Sequence, residues 1–134
     1  MGIDFGDRKI GIAVSDQLGW TAQGVETLVR GSGLLSDLDK IKAIAQEYEV
    51  EKIVVGLPLN MNGTTGPMGE KALSFADNLR RHLQLPVETW DERLTTSAAE
   101  RLLISADVRR SKRRQVIDKI AAAIILQSYL DAHS

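Results

Sequence analysis

Three groups of acidic residues carry the chemical interest of this chain. Asp4 lies between Ile3 and Phe5 in "MGIDFGDRKIGIAVSD". Asp91 and Glu92 follow the stretch "LPVETW". Asp118 shares a helical face with Ala121, Ala122 and Ile125, at i+3, i+4 and i+7. An isolated ionised carboxylate is costly to bury, and a buried Asp is nearly always paired. Each acid alone has an ordinary reading. Asp4 caps a strand end, Asp91 accepts loop N–H groups while Arg93 pairs with one acid, and Asp118 sits near a helix N-terminus, favoured by the dipole. Together they suggest a cation site. Carboxylate oxygens without histidine or cysteine suit Mg²⁺ or Mn²⁺. Two such ions about 4 Å apart would clamp an in-line phosphodiester displacement, one activating the water and the other stabilising the leaving oxygen.

A basic run stands directly before the Asp118 helix. In "VRRSKRR", Arg109, Arg110, Lys112, Arg113 and Arg114 fall within one short segment of a chain whose net charge is −1. Such runs are commonly solvated helix entries. Its place beside the acids favours a phosphate-binding edge instead. Five cations on a single-stranded backbone predict that log K falls with log[salt] at a slope of roughly −3 to −4. The loop Asn60–Gly69 is flexible in composition, of the kind that covers active sites. Trp20 and Trp90 offer stacking surfaces for bases, although a lone tryptophan is more commonly packing. Ser15, Thr95 and Thr96 have no histidine base nearby in sequence, which argues against a hydrolase triad.

The elements that must position these residues follow from periodicity. Met1–Phe5 reads as a strand, Gly6–Lys9 as a hairpin-length turn, and Ile10–Ser15 as a strand with period-2 alternation. A third strand falls near Gly24–Val29, so the first three form an antiparallel meander. Ser36 with Asp39 resembles a capping box ahead of a helix through Leu38, Ile41, Ile44 and Tyr48. "KIVVGLP" reads as a strand covered on both faces. A helix carrying Ala72, Phe75, Leu79 and Leu83 follows, then a strand over Leu85–Trp90. Ser97 and Glu100 suggest a second capping box and a short helix through Leu102 and Leu103. The last helix is expected from about Lys112 to Ala132. The predicted class is α/β: a five-stranded mixed sheet, meander first and αβ alternation after, with helices on its faces.

Composition bounds the alternatives. The 134 residues read as one domain spanning 1–134, with 43% apolar and 26% charged residues. No apolar run approaches the roughly 20 residues that span a bilayer, so no membrane partner is expected. Asp4, Asp7, Arg8 and Lys9 interrupt anything resembling a secretory signal. The chain has no cysteine, which excludes disulfides, thiolate zinc sites and thiol catalysis and fits a reducing compartment. His82 and His133 are its two histidines, too few for a histidine-rich metal centre.

The segments "IDFGDRKIGIAVSD", "IVVGLPLNMNG", "FADNL", "LPVETWDERLTT" and "IDKIAAAIILQSYL" resemble, in order, the motifs of the YqgF/RuvX family. These are bacterial proteins of ribonuclease-H-like fold, described as pre-ribosomal-RNA nucleases or Holliday junction resolvase homologues. The resemblance covers nearly the whole chain. It implies that Asp4 is the first-strand metal ligand and Asp118 the acid of the final helix. Asp91, Glu92 and Arg93 match the family's D-E-R motif. Related nucleases place an acid at the end of the fourth strand, where this chain has Gly56-Leu57-Pro58; Glu92 or Asp91 is the candidate replacement. The implied activity is metal-dependent hydrolysis of RNA at the 5′ end of the small-subunit ribosomal RNA precursor, in the cytoplasm. In that reading Asp4, Glu92 (or Asp91) and Asp118 hold Mg²⁺ or Mn²⁺. Arg109–Arg114 hold phosphates, and Arg93 orients the acids or a phosphate.

Three rival readings exist. Holliday junction resolution would use the same acids on branched DNA and calls for a stable homodimer rather than a monomer, because a junction has two-fold geometry. D-x-G before a hairpin also resembles the phosphate loop of actin-like ATPases, but those need two such lobes. A nucleic-acid-binding module with a decayed site is the non-enzymatic alternative.

Overall fold

The computed structural model describes residues 1–31, 33–95 and 113–133, and the side chains of the final helix from residue 121 onward. Strands β1 (Gly2–Phe5), β2 (Lys9–Ser15) and β3 (Ala22–Val29) come first. Helix α1 (Leu34–Glu47), β4 (Ile53–Leu57), α2 (Pro67–Leu83) and β5 (Val87–Asp91) alternate after them. A 3₁₀ turn (Glu92–Leu94) leaves β5, and α3 (Arg113–Ala132) ends the chain. The short helix expected around Ser97–Leu103 lies outside the described residues. No described helix is long and apolar enough to cross a membrane.

The strands form one five-stranded sheet in the order β3-β2-β1-β4-β5. The β1–β2 and β2–β3 pairs are antiparallel, and β1–β4 and β4–β5 are parallel. This is the mixed sheet expected from the meander followed by αβ alternation.

Side-chain alternation divides the core between the two faces. Ile3, Ile53 and Val55 pack with Leu38, Ile41 and Ile44 of α1 and Phe75 and Leu79 of α2. On the other face Ala13 and Val54 pack with Ala122, Ile125 and Leu126 of α3. Gly2 allows α3 to come close: a Cβ there would stand 2.6 Å from the Leu126 Cβ and 2.8 Å from the Ala122 carbonyl oxygen. Small residues on both sides of this contact therefore seat α3 against the central strand.

Two local expectations differ from the structure. Helix α1 starts two residues before Ser36, after Gly33 at φ 116°, and has no side-chain cap. Gly33, with its positive φ, takes the position before the helix, so Ser36 lies inside the first turn and does not form the capping box expected with Asp39. Asp39 instead meets His82 of α2, 2.7 Å away. The loop after β4 ends at Gly66, because Pro67 opens α2 and Gly69 lies inside it. Proline suits a first helical turn, where its missing N–H costs nothing.

Candidate active site

Strand alternation puts Asp4 on the same face as Gly2, toward α3, at the C-terminal end of β1. Gly11 is its partner across the β1–β2 ladder. The ideal Cβ position of Gly11 lies 3.5 Å from the Ala122 Cβ and 3.6 Å from the Asp4 Cβ. The turn after Asp4 is held from behind. Arg30 Nη1 donates to the Gly6 carbonyl at 3.3 Å, and its guanidinium lies 4.7 Å over the Phe5 ring. Asp37, 1% exposed at the start of α1, accepts from Arg30 Nε at 3.4 Å.

The β1–β4 register pairs Ile3 with Val55, so its continuation sets Asp4 beside Gly56. The space above Gly56 is filled by two other residues, Ile125 and Glu92. A Cβ on Gly56 would lie 3.0 Å from Glu92 Oε1, 3.2 Å from Glu92 Cδ and 2.5 Å from Ile125 Cδ1. Glu92, one residue past β5, thus reaches back across the end of β4. Its carboxyl occupies the region of the fourth-strand end, where the chain itself carries Gly56-Leu57-Pro58 and no acid.

Burial, first, and the charges of Asp4 and Asp91, second and third, raise the Glu92 carboxyl from 4.5 to about 7. Asp91 behaves oppositely. Its oxygens accept from Arg93 Nε at 3.1 and 3.0 Å, from Arg93 Nη2 at 2.7 Å and from the Arg93 backbone N–H at 2.9 Å. Those bonds, the side-chain ones foremost, hold its carboxyl below the usual range. The two adjacent acids are therefore separated: Asp91 is bound up with Arg93, and Glu92 faces Asp4. Arg93 also donates from Nη1 to the Met61 carbonyl at 3.3 Å, which makes it a brace between the β5 end and the β4–α2 loop.

The turn bearing Glu92 is fixed on its other side. Thr95 Oγ1 donates to the Glu92 carbonyl at 2.6 Å. The Trp90 indole N–H donates to Ser128 Oγ at 2.9 Å, and Ser128 donates in turn to the Leu94 carbonyl at 3.0 Å. Trp90 also meets the Tyr129 ring edge-on at 5.5 Å, so its role is packing against α3. Trp20 is an exposed residue of the β2–β3 turn. Gly56, Ser128 and Met61 were not among the sequence-predicted site residues. A glycine inside an apolar strand was the available signal for the first, since it marks a close approach.

Among the described residues no three acids or histidines cluster as a metal would require. Asp4 and Glu92 supply an oxygen-only pair, and the Glu92 carboxyl is raised chiefly by its burial, with the Asp4 charge adding to it. That donor chemistry fits Mg²⁺ or Mn²⁺. Asp118 lies on α3 four residues before Ala122, and its side chain is outside the described residues. The same holds for the side chains of Arg113 and Arg114, while Arg109, Arg110 and Lys112 are outside altogether.

The arrangement of sheet and helices is the ribonuclease-H-like fold. It aligns with Thermus thermophilus RuvC in complex with a Holliday junction substrate at a TM-score of 0.57, over 98% of this chain and 93% of that one, at 16% identity. A second T. thermophilus RuvC structure gives a TM-score of 0.53 at 14% identity. The chain belongs to the RuvX family, described as Holliday junction resolvase, which matches residues 1–132. It is 55% identical over 132 residues to a Desulforamulus reducens protein named "Putative pre-16S rRNA nuclease", covering 98% of this chain and 96% of the relative. A Bacillus thuringiensis protein of the same name is 57% identical over 133 residues, covering 98% and 97%.

Proposed function

We propose that this chain is a metal-dependent nuclease that hydrolyses phosphodiester bonds in RNA, at the 5′ end of the precursor of 16S ribosomal RNA. The observation that carries the reading is the Glu92 carboxyl set over Gly56 beside Asp4, with Asp91 held off by Arg93. The names of the close relatives supply the substrate. Asp4, Glu92 and Asp118 hold Mg²⁺ or Mn²⁺, and Arg109, Arg110, Lys112, Arg113 and Arg114 bind phosphates of the strand. Bound divalent ions supply charge neutralisation and an activated water for in-line attack. Asp4 and Glu92 orient that site from two sides of the β1–β4 ends. Burial, with the charges of Asp4 and Asp91 adding to it, favours the protonated form of the Glu92 carboxyl well above the usual carboxylate range, a preference that a bound cation would oppose. Asp91 stays ionised and anchors Arg93. The protein acts in the cytoplasm as a single domain, monomeric or homodimeric.

A second reading, cleavage of Holliday junctions, is favoured by the family description and by the fold likeness to RuvC. One experiment separates them. Precursor RNA and a four-way DNA junction are incubated with wild type, Asp4→Asn, Glu92→Gln and Asp118→Asn in Mn²⁺ or Mg²⁺. Cleavage of the RNA by wild type, lost in all three variants, is expected. Cleavage of the junction alone would transfer the assignment to the resolvase reading, and variants as active as wild type would refute the site.

A further inference from the structure

The strand end that bears Asp4 is supported unevenly. The β1–β2 ladder runs on to Phe5, opposite Ile10, whereas the β1–β4 ladder has its last pair at Ile3 and Val55. Among the described residues, the strand past Ile3 is therefore laddered on the β2 side alone. The turn that follows is closed by its own backbone, the Gly6 N–H donating to the Lys9 carbonyl at 3.0 Å. Closing the hairpin thus needs no side chain.

A side chain from elsewhere is nevertheless fixed there. Arg30 follows β3, which stands two strands away from β1. Its backbone N–H donates to the Arg8 carbonyl at 2.9 Å. From Nη1 it donates to the Gly6 carbonyl at 3.3 Å and to the Asp7 carbonyl at 3.4 Å. The same guanidinium lies over the ring of Phe5, which stacks on Phe75 of α2 at 4.3 Å. The three residues after Asp4 are therefore held by one planar group. Asp37 aims that group from its other edge, accepting from Nε. Asp37 is buried, and its Oδ1 has no hydrogen-bond partner among the described residues. Burying such a carboxylate is costly, and Arg30 is the ion-pair partner that offsets the cost. A buried ion pair adds little stability over apolar packing of the same volume, so stability alone does not account for it.

We infer that Arg30, aimed by Asp37, is a positioning residue for Asp4: it fixes the peptides from Phe5 to Asp7, and so the angle at which the Asp4 carboxylate meets a divalent cation. The inference rests on the metal-site reading above. Site groups must be held to within about 0.5 Å of their working geometry. Arg30→Lys keeps the charge, but a single ammonium cannot reach Asp37 and both carbonyls as the guanidinium fork does.

The test measures Mn²⁺ binding by calorimetry on the folded protein, and kcat and KM on whichever probe the wild type cleaves, the precursor RNA oligonucleotide or the four-way DNA junction. Ile41→Val, a core truncation on the same helix as Asp37, is the control for lost stability. Arg30→Lys is expected to bind Mn²⁺ about tenfold more weakly. Its kcat should fall at limiting Mn²⁺ and recover at saturating Mn²⁺, with KM for the probe nearly unchanged. Asp37→Asn should move the same quantities in the same direction, and the double variant should be no weaker than Arg30→Lys. Ile41→Val should bind Mn²⁺ as the wild type does. Wild-type Mn²⁺ affinity in Arg30→Lys and Asp37→Asn, or an equal loss in Ile41→Val, would overturn the positioning role. The expected pattern of Mn²⁺ binding without cleavage of either probe would remove the nuclease reading and leave the positioning role standing.

Discussion

Replacing Glu92 by glutamine should stabilise the metal-free protein, and only at high pH. The folded state holds the Glu92 proton up to about pH 7, against 4.5 for the ordinary group, chiefly because the carboxyl is buried and secondarily because Asp4 and Asp91 repel its charge. An acid whose folded pKa is raised binds its proton more tightly folded than unfolded. Its effect on stability is therefore absent below about pH 4.5 and grows as a penalty as pH rises to about 7, then levels off. At about 1.4 kcal/mol per pH unit the ceiling is about 3 kcal/mol. Part of the group meets solvent, and screening reduces the expected penalty to about 1–2 kcal/mol.

Glutamine keeps the shape and cannot ionise. Melting in EDTA should place Glu92→Gln above wild type by roughly 3–8 °C at about pH 8, with no difference at about pH 4. Saturating Mn²⁺ should reverse the order, because the cation stabilises the ionised wild-type carboxyl and gains less from the amide. Equal melting temperatures at both pH values in EDTA, or the same gain at both, would refute the claim that Glu92 is forced into a charged, buried position facing Asp4.

Asp4→Asn should lower the Glu92 pKa, read by carboxyl NMR titration, yet leave it above 4.5, because burial outranks the Asp4 charge. Gly56→Ala should cost about 1–3 kcal/mol in denaturant unfolding and weaken Mn²⁺ binding in calorimetry, since its Cβ would press on Ile125 and on Glu92 Oε1 at 3.0 Å. Arg93→Lys keeps the charge but loses the fork on Asp91, so the Asp91 carboxyl should titrate closer to its ordinary value by NMR. Replacing Arg109, Arg110, Lys112, Arg113 and Arg114 by glutamine should flatten the salt dependence of RNA binding by roughly 3–4 in slope.

The sheet was legible because its signals are local. Ile10, Ile12 and Val14 alternate with Gly11, Ala13 and Ser15, enough to mark a strand although both of its faces are buried from Ile10 to Ala13, and "KIVVG" reads as a strand buried on both faces. Helix periodicity found Leu38, Ile41, Ile44, Phe75 and Leu79, all of which are core. The first turn of α1 was misread because Gly33 supplied a backbone solution that side-chain capping patterns do not encode. The site was legible in part. Composition and spacing drew attention to Asp4, Asp91 and Glu92, but which neighbour faces inward depends on a tertiary choice. Arg93 takes Asp91 because a two-residue spacing across a tight turn allows the bidentate grip. Glu92 then turns toward Gly56, a position far away in sequence.

That choice gives the glycine at the fourth-strand end a reason. An acid borne by β4 itself would occupy the volume that Glu92 Oε1 now fills, 3.0 Å from the absent Cβ. The longer side chain of a glutamate is needed to span from the end of β5 to the strand beside it. The two features are therefore coupled. Gly56→Asp alone places a third like charge against Asp4 and Glu92 and should unfold or misplace the site. Gly56→Asp with Glu92→Gly moves the carboxylate from the turn back to the strand. If the reach-over explains the glycine, the double variant should recover Mn²⁺ binding that each single variant loses. Losses that simply add in the double variant would mean that Gly56 is there for Ile125, which its Cβ would meet at 2.5 Å, and not for Glu92.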